Sequence, residues 1–126
     1  MVRTAITTSD APSAIGPYSQ AIAFDNLLFI SGQLPIDPAT STMIDGDIAA
    51  MTSRILQNAS AIAIAAGTSL ENTVKTTIFL TDLSNFQTVN SAYGEFFPEN
   101  PPARSTIQVT ALPLGSPIEI EFILAR

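Results

Sequence analysis

The stretch from Asp47 to Gly67, DIAAMTSRILQNASAIAIAAG, decides the fold. Ile48, Met51, Ile55, Ala59, Ile62 and Ala66 recur at steps of three and four, so one apolar stripe runs down a helix over Asp47 to Ala66. Asp45 or Asp47 can cap its start, and Gly67 suits the position just past its end. A helix striped on one side needs a partner surface, and its flanks supply strands.

Downstream, Asn72 to Thr81 is rich in Thr, Val and Ile and reads as a strand. Ser84 or Asn85 then caps a second helix through Phe97, with Phe86, Val89, Tyr93 and Phe96 or Phe97 as its buried stripe and Pro98, Pro101 and Pro102 ending it. Ser105 to Ala111 and Ile118 to Ala125 are strands around a turn at Leu112 to Pro117. Upstream, Arg3 to Thr7, Ser19 to Phe24 and Leu27 to Ser31 read as strands. Ile15-Gly16-Pro17-Tyr18 makes a rigid turn before the second of these, and Asp25-Asn26 a hairpin turn after it. A loop follows from Gly32 through Thr42. The order β-β-β-α-β-α-β-β predicts a single α+β domain over residues 1–126, with two helices on one face of a mixed sheet.

Helices can cover only one face of that sheet. In the last strand Ile118, Ile120, Phe122 and Leu124 share one side, and Glu119, Glu121, Ile123 and Ala125 the other. In the Asn72 segment Val74, Thr76, Ile78 and Leu80 oppose Lys75, Thr77, Phe79 and Thr81. The uncovered side therefore mixes Ile123 and Phe79 with polar groups. Hydrophobic residues are 46% of the chain and charged residues 13%, below the ~25% usual for soluble domains. That favours a subunit interface with pockets over a solvated face with stray apolar residues.

Composition also excludes chemistry. Cys and His are both absent. There can be no disulfide framework, no usual Cys/His zinc site, and no Ser-His-Asp or Cys-His nucleophile. Carboxylates, hydroxyls, Arg or Lys, backbone amides and water remain. The net charge is −6, with five Lys and Arg residues scattered along the chain. Nucleic-acid binding needs clustered cations, so none is expected. No run is long enough to span a bilayer, and the N-terminus lacks a signal-peptide core, so the expected place is the cytoplasm, with an organelle left open.

Among the residues left, Arg104 follows Pro101-Pro102-Ala103, which fix the backbone that carries it. A guanidinium aimed in this way grips a carboxylate through two parallel hydrogen bonds; the plain alternative is a surface Arg or a structural ion pair. Glu119 comes just after a turn. An antiparallel hairpin between the Ser105 and Ile118 strands brings it near Arg104, where a half-buried carboxylate can exchange protons with water. Glu121, on the same side, competes for that role, and a solvated strand face is the simpler reading of both. Ser31-Gly32 lets a ligand approach the backbone, or is a plain turn. Tyr18 is an aromatic wall or a packed core residue, and Asn90 reaches a pocket or faces solvent.

Taken together, Ile15-Gly16-Pro17-Tyr18-Ser19-Gln20-Ala21, Phe29-Ile30-Ser31-Gly32-Gln33-Leu34-Pro35, Val89-Asn90-Ser91-Ala92-Tyr93, Pro102-Ala103-Arg104-Ser105 and Ile118-Glu119-Ile120-Glu121 resemble, in order and over nearly the whole chain, the RidA (YjgF) family. The resemblance implies a fold like chorismate mutase of the bacillus type, assembled as a homotrimer with active sites in the clefts between subunits. It implies hydrolysis of 2-aminoacrylate and similar enamines and imines to a 2-keto acid (pyruvate, 2-ketobutyrate) and ammonia, with no metal or organic cofactor. Arg104 matches the residue that holds the substrate carboxylate, and Glu119 the one that positions water. Tyr18, Ser31, Gly32 and Asn90 match pocket positions. Thr106 stands where several members have Cys, and its backbone N–H would assist carboxylate binding. Two other readings stay open: an endoribonuclease or translation inhibitor, against which the acidic balance speaks, and a non-catalytic trimer that binds keto acids through Arg104.

Overall fold

In the computed structural model, which describes residues 2–126, eight strands and two helices run in the order β1 (Arg3–Ile6), β2 (Ala21–Phe24), β3 (Leu27–Gln33), β4 (Ile36–Asp37), β5 (Thr42–Met43), α1 (Ile48–Ala65), β6 (Thr73–Leu80), α2 (Phe86–Gly94), β7 (Ala103–Gln108) and β8 (Ile118–Ala125). Six strands form one mixed sheet in the order β1-β2-β3-β8-β6-β7, and β4 and β5 form a small separate hairpin. All neighbours are antiparallel except β6 and β7, which are parallel.

α1 begins where the Asp47 side chain accepts a hydrogen bond from the Ala50 N–H at 2.9 Å. It ends at Gly67, whose φ of +82° takes the left-handed conformation glycine adopts freely. Ile55, Leu56, Ala59, Ile62 and Ala63 on α1 pack against Ile118, Ile120, Phe122 and Leu124 of β8. Leu28, Ile30, Ile78 and Leu80 from the neighbouring strands complete this core.

The alternation expected for β8 is therefore what the structure shows. That of the Asn72 segment is broken near its start. A register shift between Thr73 and Lys75 leaves Val74 as a bulged residue, 48% exposed, and Thr73 takes the inward place. α2 is shorter than the sequence predicts, stopping at Gly94, although Phe97 beyond it is still buried against Tyr93. The segment read as a loop up to Thr42 contains the β4–β5 hairpin.

The larger departure lies in β7. The expected β7–β8 hairpin does not form: β7 pairs only with β6, in parallel, and β6 lies between β7 and β8. A parallel partner needs a long crossover, and α2 with the Pro-rich segment after it provides one from β6 to β7. The face opposite the helices is uncovered. It carries Phe29 (41% exposed) and Ile107 (45% exposed) beside half-buried Phe79 and Ile123.

Candidate functional site

The predicted site residues fall into two groups on opposite faces of the sheet. Arg104 pairs with Thr76, and Thr76 with Phe122, all on the helix side. Glu119 pairs with Phe79 on the open side. Thr76 and Phe79 are an odd number of residues apart, and an odd step along a strand reverses the face. Two strand spacings and three residues separate the positions, about 14 Å between backbones. Within one chain, Arg104 and Glu119 cannot hold the same small molecule.

The first group lies in the seam between α2 and β7, a hollow of about 360 Å³ lined by Asn90, Tyr93, Gly94, Phe97, Pro101, Pro102 and Arg104. The Arg104 guanidinium sits over two rings of α2, 5.1 Å from the Tyr93 centroid and 5.6 Å from that of Phe86. These rings are seven residues apart on one helix face, and a guanidinium placed over aromatic rings keeps N–H groups with which to meet an anion. Tyr93 is fixed by a 2.7 Å hydrogen bond between its hydroxyl and that of Thr76. Burial pushes the Tyr93 phenol up, so it stays neutral beside the cation. No carboxylate lines this hollow. Thr106, two residues beyond Arg104, is on the same face. Its Oγ1 and the Oδ1 of Asn90 are buried without a hydrogen-bond partner in the chain.

The second group lines a cleft of about 560 Å³ on the other side, containing Tyr18, Ser31, Gly32, Glu119 and Glu121. Its floor is a bulge in β3. The register with β8 shifts between Ile30 and Gln33, so Ser31 and Gly32 are displaced from the ladder. A Cβ on Gly32 would stand 2.5 Å from the Glu119 Oε2 and 2.8 Å from its Cδ. Glycine there is what makes room for the carboxylate. Ser31 is tied down by its Oγ, which donates to the Ser19 carbonyl at 2.6 Å, and by its N–H, which donates to the Gln20 carbonyl at 3.0 Å. Tyr18 is 47% exposed, and its hydroxyl accepts a hydrogen bond from the Ile15 N–H at 3.1 Å. Burial raises the Glu119 carboxyl above the usual range, and the Glu121 charge raises it further.

Sequence reading missed the supports. Gln20 is buried, and its amide donates to the carbonyls of Thr8, Ala11 and Pro12 while its oxygen accepts from the Thr8 N–H. It pins the segment that carries Pro12 and Ser13 onto the cleft rim. Buried Asn58 of α1 donates to the Ile36 carbonyl at 2.9 Å and so holds the Leu34–Ile36 wall. An amide inside an apolar helical stripe was the available signal for Asn58. The spacing of Phe86 and Tyr93 along the sequence marks them only as core positions.

Comparison with known proteins agrees with this architecture. The model of the endoribonuclease L-PSP family matches residues 8–126. Protein DfrA of Myxococcus xanthus is 50% identical over 98% of this chain and 95% of its own length. The human 2-iminobutanoate/2-iminopropanoate deaminase is 46% identical over 98% of this chain and 90% of its own. The crystal structure of a Rid-family protein from Yersinia pestis, 46% identical, superposes with a TM-score of 0.96 and covers 99% of this chain and 100% of that one. The chain belongs to the endoribonuclease L-PSP family, the same Rid (RidA/YjgF) family its motifs resemble.

Proposed function

We propose that the chain is a 2-iminobutanoate/2-iminopropanoate deaminase, which hydrolyses enamine-derived imines of small 2-keto acids in a site shared between neighbouring subunits of a homotrimer. The observation that carries this reading is the division of the site. A cation without a carboxylate lies on one face, and a proton-exchanging carboxylate without a cation lies on the other. In a closed ring, each subunit presents the Arg104 seam to its neighbour's Glu119 cleft, and the open face with Phe29 and Ile107 is covered. The names of the human, bovine and rodent relatives support the activity. We place the enzyme in the cytoplasm; no helix among the described residues is long and apolar enough to cross a membrane.

The chemistry then follows from the parts. Arg104 holds the substrate carboxylate by a bidentate pair, with Asn90 and the Thr106 backbone N–H on the same wall. Gly32 makes room for the Glu119 carboxylate beside β3, and Tyr18 and Ser31 wall the cleft. Glu119 takes a proton from water as the oxygen attacks the imine carbon, and returns it to nitrogen. The resulting carbinolamine loses ammonia and leaves the 2-keto acid. A carboxyl raised by burial suits both halves of this exchange, since a proton carrier works best with its pKa nearer the working pH. The imine is already electrophilic, so orientation provides most of the help. Two carboxylates in the cleft repel phosphates, which weighs against RNA as substrate.

The test generates 2-aminoacrylate in situ with a serine dehydratase and follows pyruvate and ammonia against a semicarbazide trap. Wild type should outcompete the trap and Arg104→Ala should not. If wild type is no faster than buffer over several imines, the deaminase reading is wrong, and titration with pyruvate then asks whether the Arg104 pocket only binds keto acids.

A further inference from the structure

Glu121 is two residues from Glu119 on the same face of β8, and both line the 560 Å³ cleft. One strand repeat separates them, about 7 Å. Glu121 also lines a second, smaller hollow of about 170 Å³ with Phe29, Lys75, Thr77 and Ile123. The groups facing it from the adjoining elements are few. From β6 come Thr77, directly opposite, and Lys75, opposite Ile123. From β3 come Phe29 and the Ser31–Gly32 bulge. Pro113 comes from the loop before β8, and the Tyr18 ring from the turn before β2. Lys75 is the one cation among these, and it lies beyond Glu121, outside the lining of the Glu119 cleft. No cation stands between the two carboxylates in that lining.

We propose that Glu121 is a positioning residue for the reaction: a fixed negative charge on the same strand face that holds the proton on Glu119, so that Glu119 can both accept it from water and keep it for the departing nitrogen. The proposal rests on the deaminase reading for its purpose, and on the strand geometry for its mechanism. Burial alone raises Glu119, and the like charge one repeat away raises it further. Glu121 itself is exposed at the mouth of the cleft whose lining it shares with Glu119.

Two readouts test it. The pH profile of kcat/KM for imine hydrolysis is measured for wild type, Glu121→Gln and Glu121→Asp. In parallel, the Glu119 carboxyl carbon is titrated by NMR in glutamate-labelled protein, with its resonance identified by loss in Glu119→Gln. Removing the charge should lower the midpoint of the ascending limb, and the NMR midpoint with it, by about half a pH unit or more at low salt. Glu121→Asp should restore both, and high salt should shrink the difference. Unmoved midpoints in Glu121→Gln overturn the proposal. So does an equal loss of rate in both variants with the NMR midpoint unchanged, which would mean that the side chain only fills space. Should wild type hydrolyse no imine, the deaminase reading fails, while the NMR midpoints still decide whether Glu121 controls the proton on Glu119.

Discussion

Mixed trimers give the sharpest test of a site divided between subunits. In the proposed site Arg104→Ala removes a bidentate, charge-assisted contact, where each of the two bonds contributes about 1.5–3 kcal/mol, so kcat/KM should fall at least about 100-fold. Glu119→Ala removes the proton carrier and should cost about 10²–10⁴. Each variant alone is then nearly inactive. Co-expressed in equal amounts and assembled as the proposed trimer, they give rings in which a site is whole only where a Glu119→Ala subunit, with its arginine, faces an Arg104→Ala subunit, with its glutamate. Random mixing in a closed ring makes about one quarter of the sites whole, far above either parent. Wild type mixed with the double variant should also give about one quarter, whereas a site within one chain would give about one half there and nothing from the two single variants. Pyruvate release from in-situ 2-aminoacrylate, normalised to trimer by sedimentation, reads both mixtures and the two single-variant parents. Activity of the single-variant mixture no higher than that of its better parent would refute the division of the site, whatever the isolated chain's geometry.

Three further outcomes are expected. Gly32→Ala places a methyl carbon 2.5 Å from the Glu119 Oε2, so the carboxylate must move; kcat should fall at least about tenfold with the circular dichroism spectrum unchanged, given that small misplacements cost about 10². Phe86→Leu removes one of the two rings under Arg104 and keeps the bulk; a cation–π contact at an exposed site is worth about 0.5–1 kcal/mol, so KM should rise about two- to fivefold with kcat little changed. Glu119 is raised in the folded state, so the folded protein binds its proton more tightly than the unfolded chain and loses stability as pH rises from the unfolded to the folded pKa. Glu119→Gln should therefore be more stable than wild type at neutral pH, with the difference fading on acidification; a thermal-melting series from pH 4 to pH 8 that shows no such convergence would contradict the shift.

Much of the fold could be read locally because most of its elements carry local signals. The α1 stripe, its Asp47 cap and the Gly67 stop are contained within twenty-one residues, and the β8 alternation within eight. The errors came where one residue changes a period. Val74 is bulged out of β6, and a bulge leaves no mark in a Thr/Val/Ile run because every neighbour is equally suited to a strand. In α2 the apolar spacing runs on to Phe97, but backbone hydrogen bonding ends sooner; Phe97 still packs on Tyr93 after the chain has left the helix.

The site was legible as a set of residues and not as an arrangement. Arg104 and Glu119 stand out by their chemistry and by the resemblance, and the step of fifteen residues from one to the other fits a hairpin. A parallel β6–β7 pair uses strands of the same composition as an antiparallel one, so the order of strands in the sheet is written in the crossover through α2 rather than in the strands. Once β6 lies between β7 and β8, the parity of the register decides which face each side chain takes. Arg104 is matched to Thr76 and Glu119 to Phe79, and that odd offset sends one toward the helices and the other toward the open face. A one-residue slip of β7 against β6 would reverse Arg104 and put the cation on the carboxylate's face. The buried rows prevent it: Thr76, Ile78 and Leu80 face the core, and a slip would turn Arg104 away from the Tyr93 and Phe86 rings that hold it. The packing of α2 on the sheet thus fixes the cation on the helix side, which leaves each folded chain with half of the proposed site and makes assembly a condition of the proposed activity.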